Sequence, residues 1–189
     1  VACEVKGPVY IRMLRGEIPR LFDSSEPMRL GKARVISEGS DLVLLSSGIC
    51  TEEAMRAATA LQKRGVSIQH MHISTLKPFD NPEIIEKIAG SKYGIITMEN
   101  HTVVGGLGTI IADKLAEAGV GKRLVKIGLK DTFVHGASKH YLMKEYSLDA
   151  MALIREVENM LGDKFGIQED ELQKVYLAPV HSKAKAEAL

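Results

Sequence analysis

A three-layer α/β sandwich with a mainly parallel, mixed central sheet is the fold that the sequence predicts. Short apolar runs of strand length alternate with stretches whose apolar residues recur at helical spacing. Glycine- or serine-rich turns part each from the next. Helices placed between successive strands favour parallel pairing with both sheet faces covered.

Taken in order, Pro8-Val9-Tyr10-Ile11-Arg12-Met13 reads as a strand, and Leu21 to Lys32, irregular and polar with Pro27 and Gly31, as a linker. Ala33 to Ile36 and Asp41 to Leu45 are short strands about a turn at Ser37 to Ser40. A helix follows, with Thr51 as its expected N-cap and Glu52 and Glu53 in the dipole-favoured first turn. Ala54, Ala57, Ala58 and Leu61 form its apolar stripe, and Gly65 ends it. Val66 to Ile73 is a strand, and Asn81-Pro82 starts a helix carrying Ile84, Ile85 and Ile88, with proline at its first position. Tyr93 to Met98 is the next strand and runs into Glu99-Asn100-His101. The glycine cluster Gly105-Gly106-Leu107-Gly108 then precedes a helix with Ile110, Ile111 and Leu115 on one side. Leu124 to Ile127 is the last strand, and Ser147 is the expected cap of a long final helix bearing Met151, Ile154, Val157 and Leu161. Gln168 to Tyr176 is a possible further short helix, and the Ala/Lys-rich stretch from Pro179 to Leu189 is expected to fray.

Bulk properties bound the function. A chain of 189 residues, 45% apolar and 26% charged, has room for one sizeable core. A formal charge of +1 offers no global field for nucleic acid or an anionic membrane. No apolar run is long enough to cross a bilayer, and Val1 to Pro8 has no signal-peptide core, so a cytoplasmic location is expected. The two cysteines, Cys3 and Cys50, make neither a disulfide framework nor a metal spacing, and no metal site is expected. The chain opens on Val1 rather than methionine, and a strand at residues 8–13 needs partners to satisfy its backbone. That strand is expected to belong to a sheet whose other strands lie outside this sequence.

Several segments, in order, resemble the transketolase family and its deoxyxylulose-phosphate synthase and E1-beta relatives. Gly7 to Gly16, reading GPVYIRMLRG, is similar to the last strand of the family's pyrimidine-binding domain with its following arginine. Glu99 to Gly108, reading ENHTVVGGLG, and Gly128 to Gly136, reading GLKDTFVHG, resemble two stretches of the carboxy-terminal domain. Ser74 to Asp80 fits the loop after that domain's second long strand. The resemblance divides the chain into a remnant of the pyrimidine-binding domain at 1–20, a linker at 21–32, a carboxy-terminal-like domain at 33–161 and an extension at 162–189.

The family binds thiamine diphosphate and a divalent ion, usually magnesium, between two domains across a dimer interface. The cofactor stabilises the carbanion left when the donor's carbon–carbon bond breaks. The resemblance therefore implies transfer of a two-carbon ketol unit between sugar phosphates. It also implies that the amino-terminal and pyrimidine-binding regions, on the same polypeptide or a separate subunit, supply the cofactor site, and that the assembly is a homodimer. This chain has no Gly-Asp-Gly followed downstream by paired asparagines, so it is expected to bind no cofactor and to be inactive alone. The alternatives are a fragment of a deoxyxylulose-phosphate synthase or E1-beta-like subunit, or a non-enzymatic interaction module.

Residue by residue, Arg15 matches the family arginine that binds a substrate phosphate, a task suited to a rigid guanidinium fork. A surface ion pair is the plainer alternative. Arg12 and His101 fall near the expected domain interface. Gly105, Gly106 and Gly108 could cradle a phosphate at a helix N-terminus, or simply let helix and sheet approach closely. His135 sits where many relatives carry Gly-Glu-Ser-Gly or something close, and Val134-His135-Gly136-Ala137-Ser138 departs from that pattern. His70, His72, His140 and His181 show no ligand spacing, and a buried, inert thiol is expected at Cys50.

Overall fold

The computed structural model describes residues 1–14, 18–23, 25–175 and 177. Its sheet contains β1 (Arg34–Ser37), β2 (Leu42–Ser46), β3 (Ile68–His72), β4 (Gly94–Thr102) and β5 (Leu124–Leu129), in the order β1-β3-β2-β4-β5. β2 to β5 are parallel and β1 is antiparallel at the edge against β3. The helices are α1 (Cys50–Gln62), α2 (Pro82–Gly90), α3 (Leu107–Glu117), α4 (Lys139–Glu145), α5 (Ala150–Leu161) and α6 (Glu169–Gln173).

Strand alternation sorts the core into two layers. Leu42 and Leu44 of β2, with Ile68, Ile96 and Ile127, face α1 and α5. Val43 and Leu45, with Met71 and Ile95, face α2 and α3. Every residue of β2 is buried, as a central parallel strand requires. The three-layer sandwich with a mixed, mainly parallel sheet is therefore the observed fold.

Two helix starts differ from the sequence expectation. α1 begins one residue before Thr51, and the Thr51 hydroxyl turns to the sheet instead of capping. α5 is capped by Asp149, whose Oδ1 accepts from Ala152 N at 2.9 Å, while Ser147 sits in the left-handed region at φ 55°. Asp149 wins because a carboxylate at the N-cap also meets the helix dipole. Glu53 of α1 reaches the same terminus and accepts from Ala150 N at 2.9 Å. α4, absent from the sequence reading, is a short helix capped by Ser138.

Residues 8–14 carry no regular secondary structure, and they pair with no described strand. Tyr10 and Met13 are 90% and 82% exposed. The stretch after them is tied to the sheet edge. The Phe22 ring lies beneath the Arg34 guanidinium at 4.4 Å and 5.2 Å from the His72 ring. Arg34 also bonds the Glu26 carboxylate and carbonyl, and Gly31 N donates to Thr75 Oγ1 at 3.0 Å.

Candidate functional site

In parallel α/β sheets, ligands gather at the carboxyl ends of the strands. Here β4 ends in Glu99-Asn100-His101-Thr102, followed by a tight turn into α3. Glu99 is only 2% exposed. Its Oε2 accepts from Leu107 N at 2.8 Å and its Oε1 from Gly108 N at 2.9 Å. The carboxylate thus occupies the position a phosphate would take at this helix N-terminus. Gly106 makes room for it: a Cβ there would overlap Glu99 Oε2 and lie 2.6 Å from the Thr102 carbonyl. At Gly108 a Cβ would stand 2.8 Å from Thr97 Oγ1 and the Lys126 stem. Both glycines serve close approach, and the phosphate-cradle alternative fails because the chain's own acid fills it. Gly105 takes the turn at φ 73°, its N–H bonded to Thr109 Oγ1 at 3.1 Å.

The other residues singled out in the sequence are spread around this strand end. Arg12 Nη2 donates to the Asn100 carbonyl at 3.0 Å, which ties the amino-terminal segment to β4. His101 is exposed, and its ring lies 3.3 Å from the neighbouring Thr102 carbonyl. Arg15 and His181 lie outside the described residues. His135 is exposed between Tyr141 and Tyr146, and His140 is exposed as well. Burial pushes the Cys50 thiol far above the ordinary range, which makes it inert.

A polar chain that joins His70 and His72, two histidines without ligand spacing in the sequence, lies at the ends of β2 and β3. His70 Nε2 and Ser46 Oγ are 2.8 Å apart, Ser46 Oγ donates to Thr51 Oγ1 at 3.1 Å, and Thr51 Oγ1 is 2.8 Å from His72 Nδ1. Burial lowers both imidazoles, His70 to about 3 with His72 contributing, and His72 to about 4 with Arg34 contributing. The Ser46–His70 contact has the length of a nucleophile–base pair. However, Ser46 is fully buried, and His70 Nδ1 has no partner among the described residues. With no acid to orient the base among the described residues and with Ser46 sealed from solvent, this polar chain is structural. The period-two placement of His70 and His72 on one strand was the available signal for it.

Sequence comparison bears on what this architecture serves. A family model described as the transketolase C-terminal domain matches residues 31–153. The chain belongs to the transketolase family. It is 35% identical over 156 residues to a putative transketolase C-terminal section of Methanocaldococcus jannaschii, covering 82% of this chain and 48% of that protein. It is also 35% identical over 158 residues to a 1-deoxy-D-xylulose-5-phosphate synthase of Chlorobium phaeovibrioides, covering 81% of this chain and 24% of the synthase. A solved structure described as a split gene transketolase, an inactive beta4 tetramer, superposes with a TM-score of 0.77 at 33% identity. That match covers 87% of this chain and 53% of the other. The chain thus spans about half or less of these transketolase-family proteins.

Thiamine diphosphate does not fit the glycine-rich terminus of this transketolase domain, because Glu99 already takes the N–H groups that a diphosphate would need. Among the described residues no three His, Cys, Asp or Glu side chains converge as a metal site. No described helix is long and apolar enough to cross a membrane.

Proposed function

We propose that this chain is the carboxy-terminal section of a transketolase that moves a two-carbon ketol unit between sugar phosphates. Thiamine diphosphate and magnesium would be held by amino-terminal and pyrimidine-binding regions outside this sequence. The chain's share is to buttress those regions, to contribute contacts of a cytoplasmic homodimer and to present Arg15 to a substrate phosphate.

The observation that carries this reading is the Glu99 clamp. In a transketolase-family domain whose Gly105–Gly108 helix terminus is closed by its own carboxylate, a diphosphate has no seat at that terminus, which supports a buttressing role. The tie from Arg12 to Asn100 adds to it, since it anchors the segment leading to Arg15 on the same strand end. A second reading, a deoxyxylulose-phosphate synthase section, draws on the equal 35% identity to that Chlorobium enzyme.

The test is reconstitution. The chain is mixed with the amino-terminal transketolase section encoded in the same genome, with thiamine diphosphate, magnesium, an aldose phosphate acceptor and, as alternative donors, a ketose phosphate or pyruvate, which would lose carbon dioxide on giving up its two-carbon unit. Ketol transfer is expected only from the mixture, and the mass of the product distinguishes a ketose phosphate from a deoxyketose phosphate. Arg15→Ala is expected to raise KM for the phosphorylated substrate by about tenfold or more while sparing its dephosphorylated analogue. Failure of every such mixture to turn over, with both sections folded and associated, would refute the proposal.

A further inference from the structure

A cavity of about 450 Å³ opens beside the strand ends, apart from the Glu99 clamp and the buried histidine chain. It lies where β4 and β5 finish, at Asn100 and Leu129, and it is roofed by α4. Leu129, Met143 and Leu148 give it an apolar floor, and Leu14 and Val134 form part of the rim. Its size is that of small-molecule sites, and an apolar body with a few convergent polar groups is their usual make-up.

Asn100, Lys139 and Tyr146 supply the polar groups. Asn100 Oδ1 is buried against Gly48 and has no partner among the described residues; a Cβ at Gly48 would collide with it. That packing leaves the Nδ2 donors as the polar end of Asn100 available to the cavity. Lys139 is the one charged residue among the described lining residues, and none of those is acidic. Its ammonium is loosely held, 3.9 Å from Glu52, whose carboxylate is already taken by Arg56 at 2.7 Å.

We propose that this cavity binds a small monocarboxylate with an aromatic or branched aliphatic body. The body rests on Leu129, Met143 and Leu148, and the carboxylate meets Lys139 Nζ with the Asn100 amide as a second donor. One cation and neutral donors match a single negative charge. The site is independent of the transketolase reading, since it needs neither cofactor nor sugar phosphate.

The test uses the full chain, in whatever assembly it forms, with 13C-methyl-labelled methionine and 3-phenylpropionate as the probe. Saturable shifts are expected at Met143, with Met71, on the far face of the sheet, as the unmoved control. The uncharged 3-phenylpropanol is expected to bind about fivefold more weakly, and Lys139→Met to cost the acid about the same factor while sparing the alcohol. Ala137→Phe, an exposed position on the cavity wall, is expected to abolish binding of both without unfolding the chain, as checked by the remaining methyl signals. No shift at the solubility limit of the acid overturns the proposal, whether because the cavity stays empty or because a second chain fills it. Equal affinity for acid and alcohol, unchanged in Lys139→Met, overturns the assigned ligand class.

Discussion

The Oε2 of Glu99 stands where a Cβ of residue 106 would be, so a buried carboxylate and a glycine share one space at the start of α3. The carboxylate satisfies two of the N–H groups that every helix leaves open at its amino end. Gly106→Ala must displace it, and a cost of about 1–3 kcal/mol in urea unfolding is expected. Glu99→Ala removes the acceptor and strands the buried Leu107 and Gly108 N–H groups, with a loss of about 2 kcal/mol or more. If the two variants combined lose about the sum of their separate losses, the clamp is not the coupled unit described, because removing the carboxylate should relieve part of the clash at residue 106.

The buried His70 and half-buried His72 imidazoles make stability depend on acid. His70 and His72 titrate near 6.5 when unfolded but at about 3 and about 4 in the fold, so the unfolded chain takes up protons first. Their contribution is fully present above pH 6.5 and is lost as pH falls through the window between 6.5 and the folded values. At pH 5 each costs about 2 kcal/mol. Glu53, raised by burial, works in the opposite sense, so the comparison that isolates the effect is wild type against His72→Gln. Urea midpoints at pH 7.5, 6 and 5 should fall more steeply for wild type. Parallel lines for the two proteins would show that His72 does not titrate as assigned.

The alternation of apolar runs made the sheet and its helices legible, because β2 is a continuous apolar run buried on both faces and β4 opens on the apolar Ile95-Ile96 pair, whereas β3 mixes Ile68 and Met71 with Gln69, His70 and His72. The edge strand β1 was legible as a strand but not as antiparallel, since pairing direction depends on where the chain before it lies. The Glu99–Gly108 stretch stood out in sequence, but the clamp did not: nothing local says that the Glu99 carboxylate rather than a ligand fills the terminus, and the turn at Gly105 brings the two together. The polar chain needs the register of two strands, with Leu44 opposite His70 and Ser46 opposite His72, and register is not written locally. Phe22 shows the same limit from the other side. A polar, irregular stretch read as a linker, yet one ring holds it against Arg34 and His72.

The two candidate caps of α5 separate cleanly by mutation. Asp149→Ala removes the acceptor for Ala152 N and should cost about 1 kcal/mol. Ser147→Gly relieves a left-handed backbone at φ 55° and should be neutral or stabilising by up to about 1 kcal/mol. Thermal or urea unfolding of both variants decides the matter. A loss in Ser147→Gly comparable to that in Asp149→Ala would restore the serine as the working cap.

The cysteines report on burial without any mutation. Cys3 is exposed, whereas Cys50 is fully buried at the start of α1 with its thiol held far above the ordinary range, chiefly by desolvation. Because only the thiolate attacks a disulfide reagent, Cys3 should react within the native chain and Cys50 only after unfolding. Titration with a chromogenic disulfide is therefore expected to release one equivalent under native conditions and a second in denaturant. The rate of the slow equivalent should track the opening of α1 from the sheet, and should rise in a variant such as Glu53→Ala that loosens the α1–α5 junction. Two fast equivalents in the native chain would mean that α1 does not seal the end of β2, and the buried chain beneath Thr51 would lose its argument for being structural.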